Sequence, residues 1–412
     1  MLAAEYLRAR EYLFSTLSQP SPSVELIVRA AQGRQHQLAD SLAKIAQVQY
    51  VYDLIPYVAC QTTPEIGQEL ANKIHNREVS AAFRTSHKLL LEQAHGVEIS
   101  APVSIVPNGT QPQVYTDLRF SRLWNLDRIG AYKAQKKATG AKINIAIIDT
   151  GVDYNHPQFR GRFTTRKGYD FIGRDHYPMD RNGHGTHVAG IACSADYGVS
   201  TQSTLYAVRV LDSQGYGTES TVIAGIEWCI KEKMDVANLS LGSGDASTAF
   251  EEICRIAYMQ GLLLVAAAGN EGKGPSYPAS FDEFVLAVAS TNKSNEHSDF
   301  SNIYPTNDIS APGENIVSCY LNNSYAELDG TSMATPHVTG AAALALSLNN
   351  KSLVDLESAI DTSAQPLENQ EPYEDTWVFG AGLLRADTLV ETIQKIRLRA
   401  SAHHPLFWTQ NH

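Results

Sequence analysis

No stretch of this 412-residue chain is apolar for long enough to cross a membrane, and no signal-peptide core stands at its start. Glu5, Arg8, Arg10 and Glu11 interrupt the only early apolar patch. The sequence is therefore expected to stay in the cytoplasm or to leave by a route without a recognisable signal, and no membrane partner is expected. Excess positive charge is missing as well. Lys+Arg total 33 against 44 for Asp+Glu, a formal net charge of -11, which argues against a nucleic-acid surface. Cysteine is scarce: Cys60, Cys193, Cys229, Cys254 and Cys319 are odd in number, scattered, and without a CxxC pair. That excludes a disulfide framework and a zinc ribbon, and it points to reduced, buried thiols.

What is present is enough chain for two or three domains and, at 43% hydrophobic residues, enough apolar side chain for a large core. After an N-terminal extension (1–23), residues 24–92 read as a small domain. Val24 to Arg29 is strand-like, and Gln32 to Ala46 carries Leu38, Leu42 and Ile45 at helical spacing. Two alternating strands broken at Pro56 follow, then a helix opened by Thr63 and Pro64 that runs to about Asn76. A last strand is expected over Val79 to Leu91. The order βαββαβ is a ferredoxin-like α+β unit. Pro102, Pro107, Asn108-Gly109 and Pro112 then mark a linker (93–119).

From 120 to 396 buried strand-like runs (Ile143 to Ile148, Thr204 to Val210, Val236 to Leu241, Leu262 to Ala268) alternate with helical ones near 183–195, 219–232 and 246–260. This pattern predicts an α/β fold, a doubly wound, mostly parallel sheet covered on both faces. In such sheets chemistry gathers at the carboxyl ends of the strands. Residues 397–412 read as a surface tail, with a metal-binding role for His403, His404 and His412 as the lesser alternative.

Three segments at strand or helix ends carry reactive side chains. Asp149 directly follows a buried strand, where a carboxylate needs a cation or an imidazole N–H as partner. His184, in Asn182-Gly183-His184-Gly185-Thr186-His187, opens a helix between glycines that let other groups approach the ring, which suits a general base. Ser332, in Gly330-Thr331-Ser332-Met333-Ala334-Thr335-Pro336-His337, sits at the start of an apolar helix whose backbone dipole favours negative charge beside it. Alone, Thr331-Ser332 would read as a helix cap. Together, Asp, His and Ser supply the three roles of a serine hydrolase. Asn270, in a tight Gly269-Asn270 turn after a buried strand, would alone be a turn former; in this company it is a donor for an oxyanion. His184 and His187, three apart, could also suggest zinc, but an internal hydrogen-bonded His187 is the commoner outcome.

Asp-Thr-Gly at 149–151, His-Gly-Thr-His-Val-Ala-Gly at 184–190 and Gly-Thr-Ser-Met-Ala-Thr-Pro-His at 330–337 resemble the three signature segments of the subtilisin family of serine proteases, the subtilases. The resemblance covers roughly residues 120–395. It implies that Asp149 orients His184, that His184 takes the proton of Ser332, and that Asn270 donates to the oxyanion. It further implies that Gly215-Tyr216-Gly217 and Ser240-Leu241-Gly242 bind an extended substrate between them by β-augmentation. Leu241, Ala267, Ala268 and Gly269 would wall the pocket for the residue before the scissile bond, with Ser276 at its base. No acidic residue is evident there, so an apolar or broad preference is expected.

Departures from the family bear on metal. The position of an acidic ligand to its tight calcium is Gln158, and 191–204 is too short for the loop that completes that site. No cofactor is expected for catalysis, and a weaker cation site near Tyr277-Pro278 and Asp308 is left open. The βαββαβ unit resembles the family's inhibitory propeptide, which implies a self-inhibited zymogen that cuts itself near Glu92 to His95. The expected partners are peptide or protein substrates and the chain's own N-terminal domain. A dedicated processing protease for one precursor peptide, and a catalytically silent binding protein, are the alternatives.

Overall fold

Residues 143–149 show why no alternation marks the strands of the larger body. Ile145 and Ile147 enter one hydrophobic core while Ala146 and Ile148 enter a second on the opposite side of the sheet. Both faces are buried, so the strand reads as one apolar run. The protein is described by a computed structural model over residues 23–76, 94–99, 102–104, 113–116, 123–348, 352–368 and 374–402.

The N-terminal body is formed by β1 (Val24–Ala30), α1 (Gln35–Leu42), β2 (Gln47–Val51), β3 (Tyr57–Thr62), α2 (Pro64–Asn76) and β4 (Ala94–Ile99). Its sheet runs β2-β3-β1-β4 and is antiparallel throughout. Here alternation is plain: Leu26 and Val28 face α1 in a small core with Leu38 and Leu42. Ile27 points the other way and joins Tyr52, Ile55 and Tyr57 in the second core of the larger body. Ile27, Tyr57 and Ala59 of this sheet's far face are thus buried against the neighbouring body.

The strand expected over Val79 to Leu91 lies outside the described residues; the fourth strand of the sheet, at its β1 edge, is β4, paired with β1 from Leu26↔Ile99 to Ala30↔Ala94. His95 and Gly96 hide β4 from a search for alternating apolar residues, because its place is set by a partner about 70 positions away.

Next come β5 (Pro102–Ser104) and β6 (Gln113–Tyr115), both read from sequence as linker. The larger body then supplies β7 (Asn144–Asp149), β8 (Gly168–Asp170), α3 (His184–Cys193), β9 (Thr204–Arg209), β10 (Tyr216–Thr218), α4 (Glu219–Lys231), β11 (Val236–Leu239), α5 (Thr248–Met259), β12 (Leu263–Ala267), β13 (Val285–Thr291) and β14 (Ile309–Pro312). It closes with β15 (Ile316–Tyr320), β16 (Ser324–Leu328), α6 (Thr331–Leu346), α7 (Leu353–Ser363) and α8 (Ala386–Ala402). The helix α8 runs past the expected start of the tail at 397; the tail histidines lie outside the described residues.

The main sheet has seven strands in the order β14-β13-β12-β11-β7-β9-β8, all parallel. This is the doubly wound α/β sheet expected from sequence. α6 packs on β11 to β14 and against α3, while α4 and α5 pack together in the second core. Each large apolar side chain so buried contributes about 1.5–3 kcal/mol. The chain leaves β7 toward β9 and returns on its other side at β11, so a topological switch point lies at the carboxyl end of β7. Two small sheets flank that end, β10 with β5 and β15-β16-β6. Among the described residues no helix is long and apolar enough to cross a membrane.

Candidate active site

Asp149 ends β7 at the switch point and is fully buried. Its Oδ1 accepts the N–H of Thr150 at 2.7 Å, and the carboxylate lies 2.9 and 3.0 Å from His184 Nδ1. An acceptor-only carboxylate at Nδ1 places the imidazole hydrogen there, which leaves Nε2 with a free lone pair. The approach is close because of Gly185: a Cβ at that position would stand 2.1 Å from the carbonyl oxygen of Gly151 and 3.0 Å from Asp149 Oδ1. Gly183, at φ 111°, takes the left-handed turn that aims the helix start.

A second carboxylate, which sequence reading missed, holds this corner. Asp180 accepts from the N–H groups of Asn182, Gly183 and Thr186 and from the hydroxyls of Thr150 and Thr186. Burial raises its pKa above the usual carboxylate value, against the pull of those hydrogen bonds. The signal was present in Asp180-Arg181-Asn182-Gly183, an Asx-turn sequence just ahead of a helix.

Ser332 lies in the first turn of α6 and is 5% exposed. In this structure its Oγ donates to the carbonyl of Ser240 at 3.2 Å, and Ser240 Oγ donates to the carbonyl of Ser332 at 2.8 Å. Asn270 is beside it: its Oδ1 accepts from the N–H and the hydroxyl of Thr331 at 2.9 and 2.8 Å. That pair of bonds fixes the amide with Nδ2 turned toward Gly330, 3.4 Å from where a Cβ on that glycine would be. Asp149, Ser240 and Asn270 thus follow the ends of three adjacent parallel strands, β7, β11 and β12.

The residues expected to bind substrate fall on two edges. Gly215, at φ 85°, leads into β10, and Tyr216 is exposed. The strand β10 pairs antiparallel with β5 through Tyr216↔Ser104, Gly217↔Val103 and Thr218↔Pro102. On the other edge Ser240, Leu241 and Gly242 leave β11, and Ser243 exchanges backbone hydrogen bonds with Tyr277 at 3.0 and 2.8 Å. This draws Ser276 up to Gly242, where a Cβ would meet Ser276 Oγ at 2.3 Å. Ala267, Ala268 and Ser276 are buried. Behind Gly269 stands the carboxylate of Glu271, held by Asn302 Nδ2 at 2.9 Å, an acidic neighbour that the sequence reading did not count.

His187 and His337 are both buried within the fold. His187 Nε2 faces the carbonyls of Ile316 and Ala326, both at 3.0 Å, away from Asp149. Burial pushes its pKa down to about 3. His337 bonds Met333 O and Asn125 and is pushed down to about 4, also by burial. Among the described residues no group of three or more His, Cys, Asp and Glu is placed to hold a metal ion. At Gln158 the side-chain amide is bonded at both ends to Asp196, through Nε2 at 2.9 Å and Oε1 at 3.0 Å.

A parallel α/β sheet with a buried carboxylate on a histidine and a serine at a helix start defines the class of serine hydrolases. The chain belongs to the subtilase family, which it matches over residues 140–382. It is 36% identical over 280 residues to subtilisin DY of Bacillus licheniformis, covering 65% of this chain and 98% of that protein. With subtilisin Savinase of Lederbergia lenta it shares 39% over 272 residues, 64% of this chain and 97% of the relative. With thermitase of Thermoactinomyces vulgaris it shares 38% over 260 residues, 61% and 92% of the two chains. Among solved structures, a cold adapted subtilisin-like serine proteinase superposes with a TM-score of 0.59 at 36% identity, covering 65% of this chain and 99% of that one. The protein is thus a serine endopeptidase of the subtilisin type.

Proposed function

We propose that the chain hydrolyses peptide bonds through Asp149, His184 and Ser332, and that it is made as a precursor held by its own N-terminal body. The observation that carries the first part is the fully buried Asp149 carboxylate on His184 Nδ1. Attack begins when the Ser332 hydroxyl turns from the Ser240 carbonyl and passes its proton to His184 Nε2 as Oγ bonds to the substrate carbonyl carbon. Negative charge on the former carbonyl oxygen is met by Asn270 Nδ2 and the Ser332 N–H. His184 then gives its proton to the leaving amine, and water, activated the same way, releases the acyl group. This set needs no cofactor, and we place no tight calcium at Gln158, whose amide is already engaged.

The second part is supported by β5 and β6. β5 lies antiparallel on β10, the edge expected to receive extended substrate, and β6 pairs with β16, which leads into Ser332. The chain therefore enters the groove at Pro102 and rejoins the peptidase body at Gln113. We place the self-cleavage bond between Ser104 and Gln113. A cut near Glu92 to His95 would fall at the start of β4, inside a folded sheet. The test is intact mass over time for the wild type beside Ser332→Ala. The expected result is loss of an N-terminal piece ending between residues 104 and 113 in the wild type alone. If both stay whole while the wild type cleaves added peptide, the N-terminal body is a permanent module. If Ser332→Ala cleaves peptide as fast as the wild type, the nucleophile is misassigned.

A further inference from the structure

Pro336 lies inside α6, four residues after the nucleophile. In an α-helix the carbonyl of residue i is met by the N–H of residue i+4, and proline has none. The carbonyl of Ser332 is therefore deprived of its helical donor by the sequence itself. A buried acceptor without a donor is costly, so something else must reach it.

What reaches it is a chain of side chains from the sheet and from two turns further along the same face of the helix. Thr339 Oγ donates to Asn238 Oδ1 at 2.9 Å, Asn238 Nδ2 donates to Ser240 Oγ at 2.9 Å, and Ser240 Oγ donates to Ser332 O at 2.8 Å. All three of these residues are fully buried. Donation runs one way along the chain, and its direction is set at the remote end. With Thr339 donating to Oδ1, the amide must present Nδ2 to Ser240, whose own hydrogen is then committed to Ser332. Were the amide reversed, Ser240 would donate to Asn238 and the Ser332 carbonyl would lose the Ser240 hydroxyl as its donor. The same Ser240 offers its backbone carbonyl to the Ser332 hydroxyl, so the nucleophile is gripped at both its main chain and its side chain.

We propose that Thr339, Asn238 and the Ser240 hydroxyl are positioning residues that stand in for the amide missing at Pro336 and fix the rotation of Ser332 for attack. This rests on Ser332 being the nucleophile. None of the three need touch substrate through these side-chain atoms; they act through the Ser332 backbone.

The test uses the full chain and two readouts: kcat and KM on a chromogenic peptide, and covalent labelling of Ser332 by a fluorophosphonate, followed by intact mass. Labelling to completion counts active sites, so kcat per labelled site is independent of any misfolded fraction. Ser240→Ala is expected to lower kcat per labelled site about tenfold, the worth of one buried hydrogen bond, with KM unchanged. Thr339→Val is expected to lower it several-fold, and Thr339→Ser to restore it. The decisive variant is Pro336→Ala in the Ser240→Ala background. It returns an N–H to the helix ladder opposite the Ser332 carbonyl and is expected to recover most of the lost rate. Unchanged kcat per labelled site in Ser240→Ala and Thr339→Val would overturn the proposal. So would a Pro336→Ala change that only adds a further loss. A wild type that hydrolyses peptide without labelling at Ser332 would instead sink the nucleophile assignment, and this inference with it.

Discussion

Glu227 is the carboxylate on which the N-terminal body hangs. It sits on α4, 7% exposed, and its Oε1 accepts the N–H groups of Asp53 and Leu54 at 2.6 and 2.7 Å. Lys231, one turn on, lies 3.2 Å from Glu227 Oε2 and 2.5 Å from Asp53 Oδ2. Glu227→Gln keeps the shape and one acceptor but removes the charge that strengthens both N–H bonds, and its amide hydrogens then confront Lys231. Hydrogen bonds to a charged group are worth roughly twice neutral ones. The change should therefore cost about 2 kcal/mol of docking, or about 30-fold in the dissociation constant of the cleaved N-terminal fragment. Glu227→Ala, which leaves two N–H groups unpaired, should cost more.

The assay is recovery of peptide hydrolysis after self-cleavage, read as a function of dilution, which gives the fragment's inhibition constant. Lys231 holds the Asp53 carboxyl below its ordinary value of 3.8, so Asp53's contribution to docking is complete above that value and is lost as pH falls through the lowered one. Net, Lys231 itself is raised by Asp53 and Glu227, against the lowering effect of its burial, so its share is present below 10.5 and fades only at still higher pH. Inhibition should then be flat between about pH 5 and 9 on this account. Equal inhibition constants for the wild type, Glu227→Gln and Glu227→Ala would refute the reasoning.

Two further outcomes follow from single positions, one of them the half-buried Asp308. Burial raises the Asp308 pKa to about 8, so the folded protein keeps a proton there that the unfolded chain gives up near 3.8. This stabilisation is whole below 3.8 and is lost as pH rises to about 8. Asp308→Asn, which can still accept the Ala287 N–H, should remove a penalty on the order of 5 kcal/mol above pH 8 and flatten the pH dependence of Tm; an unaltered slope would refute it. With Ser276 read as the base of the substrate pocket, Gly242→Ala should force Ser276 to rotate and shorten that pocket. The ratio of kcat/KM for peptides with Phe over Ala before the scissile bond should fall about tenfold or more, and an unchanged ratio would show that this wall does not bound the pocket.

The parts of this molecule that could be read from sequence are those whose physics is local. β7, β9, β11 and β12 announce themselves because a strand buried on both faces must be continuously apolar, and Asp149 stands out as the charge that ends one. His184 and Ser332 are legible from the small residues that keep their helix starts open. β4 and β5 could not be read: one is interrupted by His95 and Gly96, the other is three residues beginning with proline, and each is a strand only because of a partner far along the chain. The grip on Ser332 was hidden for a related reason. Asn238 and Thr339 look like unremarkable polar residues until a sheet and a helix are brought face to face, although Pro336 stated in advance that a donor would be needed.

The five cysteines, all free and all buried, have a practical side. Burial pushes the thiols of Cys60 and Cys193 up to about 12, and the other three are raised as well, so none offers a thiolate at neutral pH. Maleimides therefore meet no exposed thiol among the native cysteines. A single cysteine introduced on an exposed stretch of the N-terminal body would be the one accessible thiol, and a dye placed there would report whether that body leaves the peptidase, without touching Asp149, His184 or Ser332.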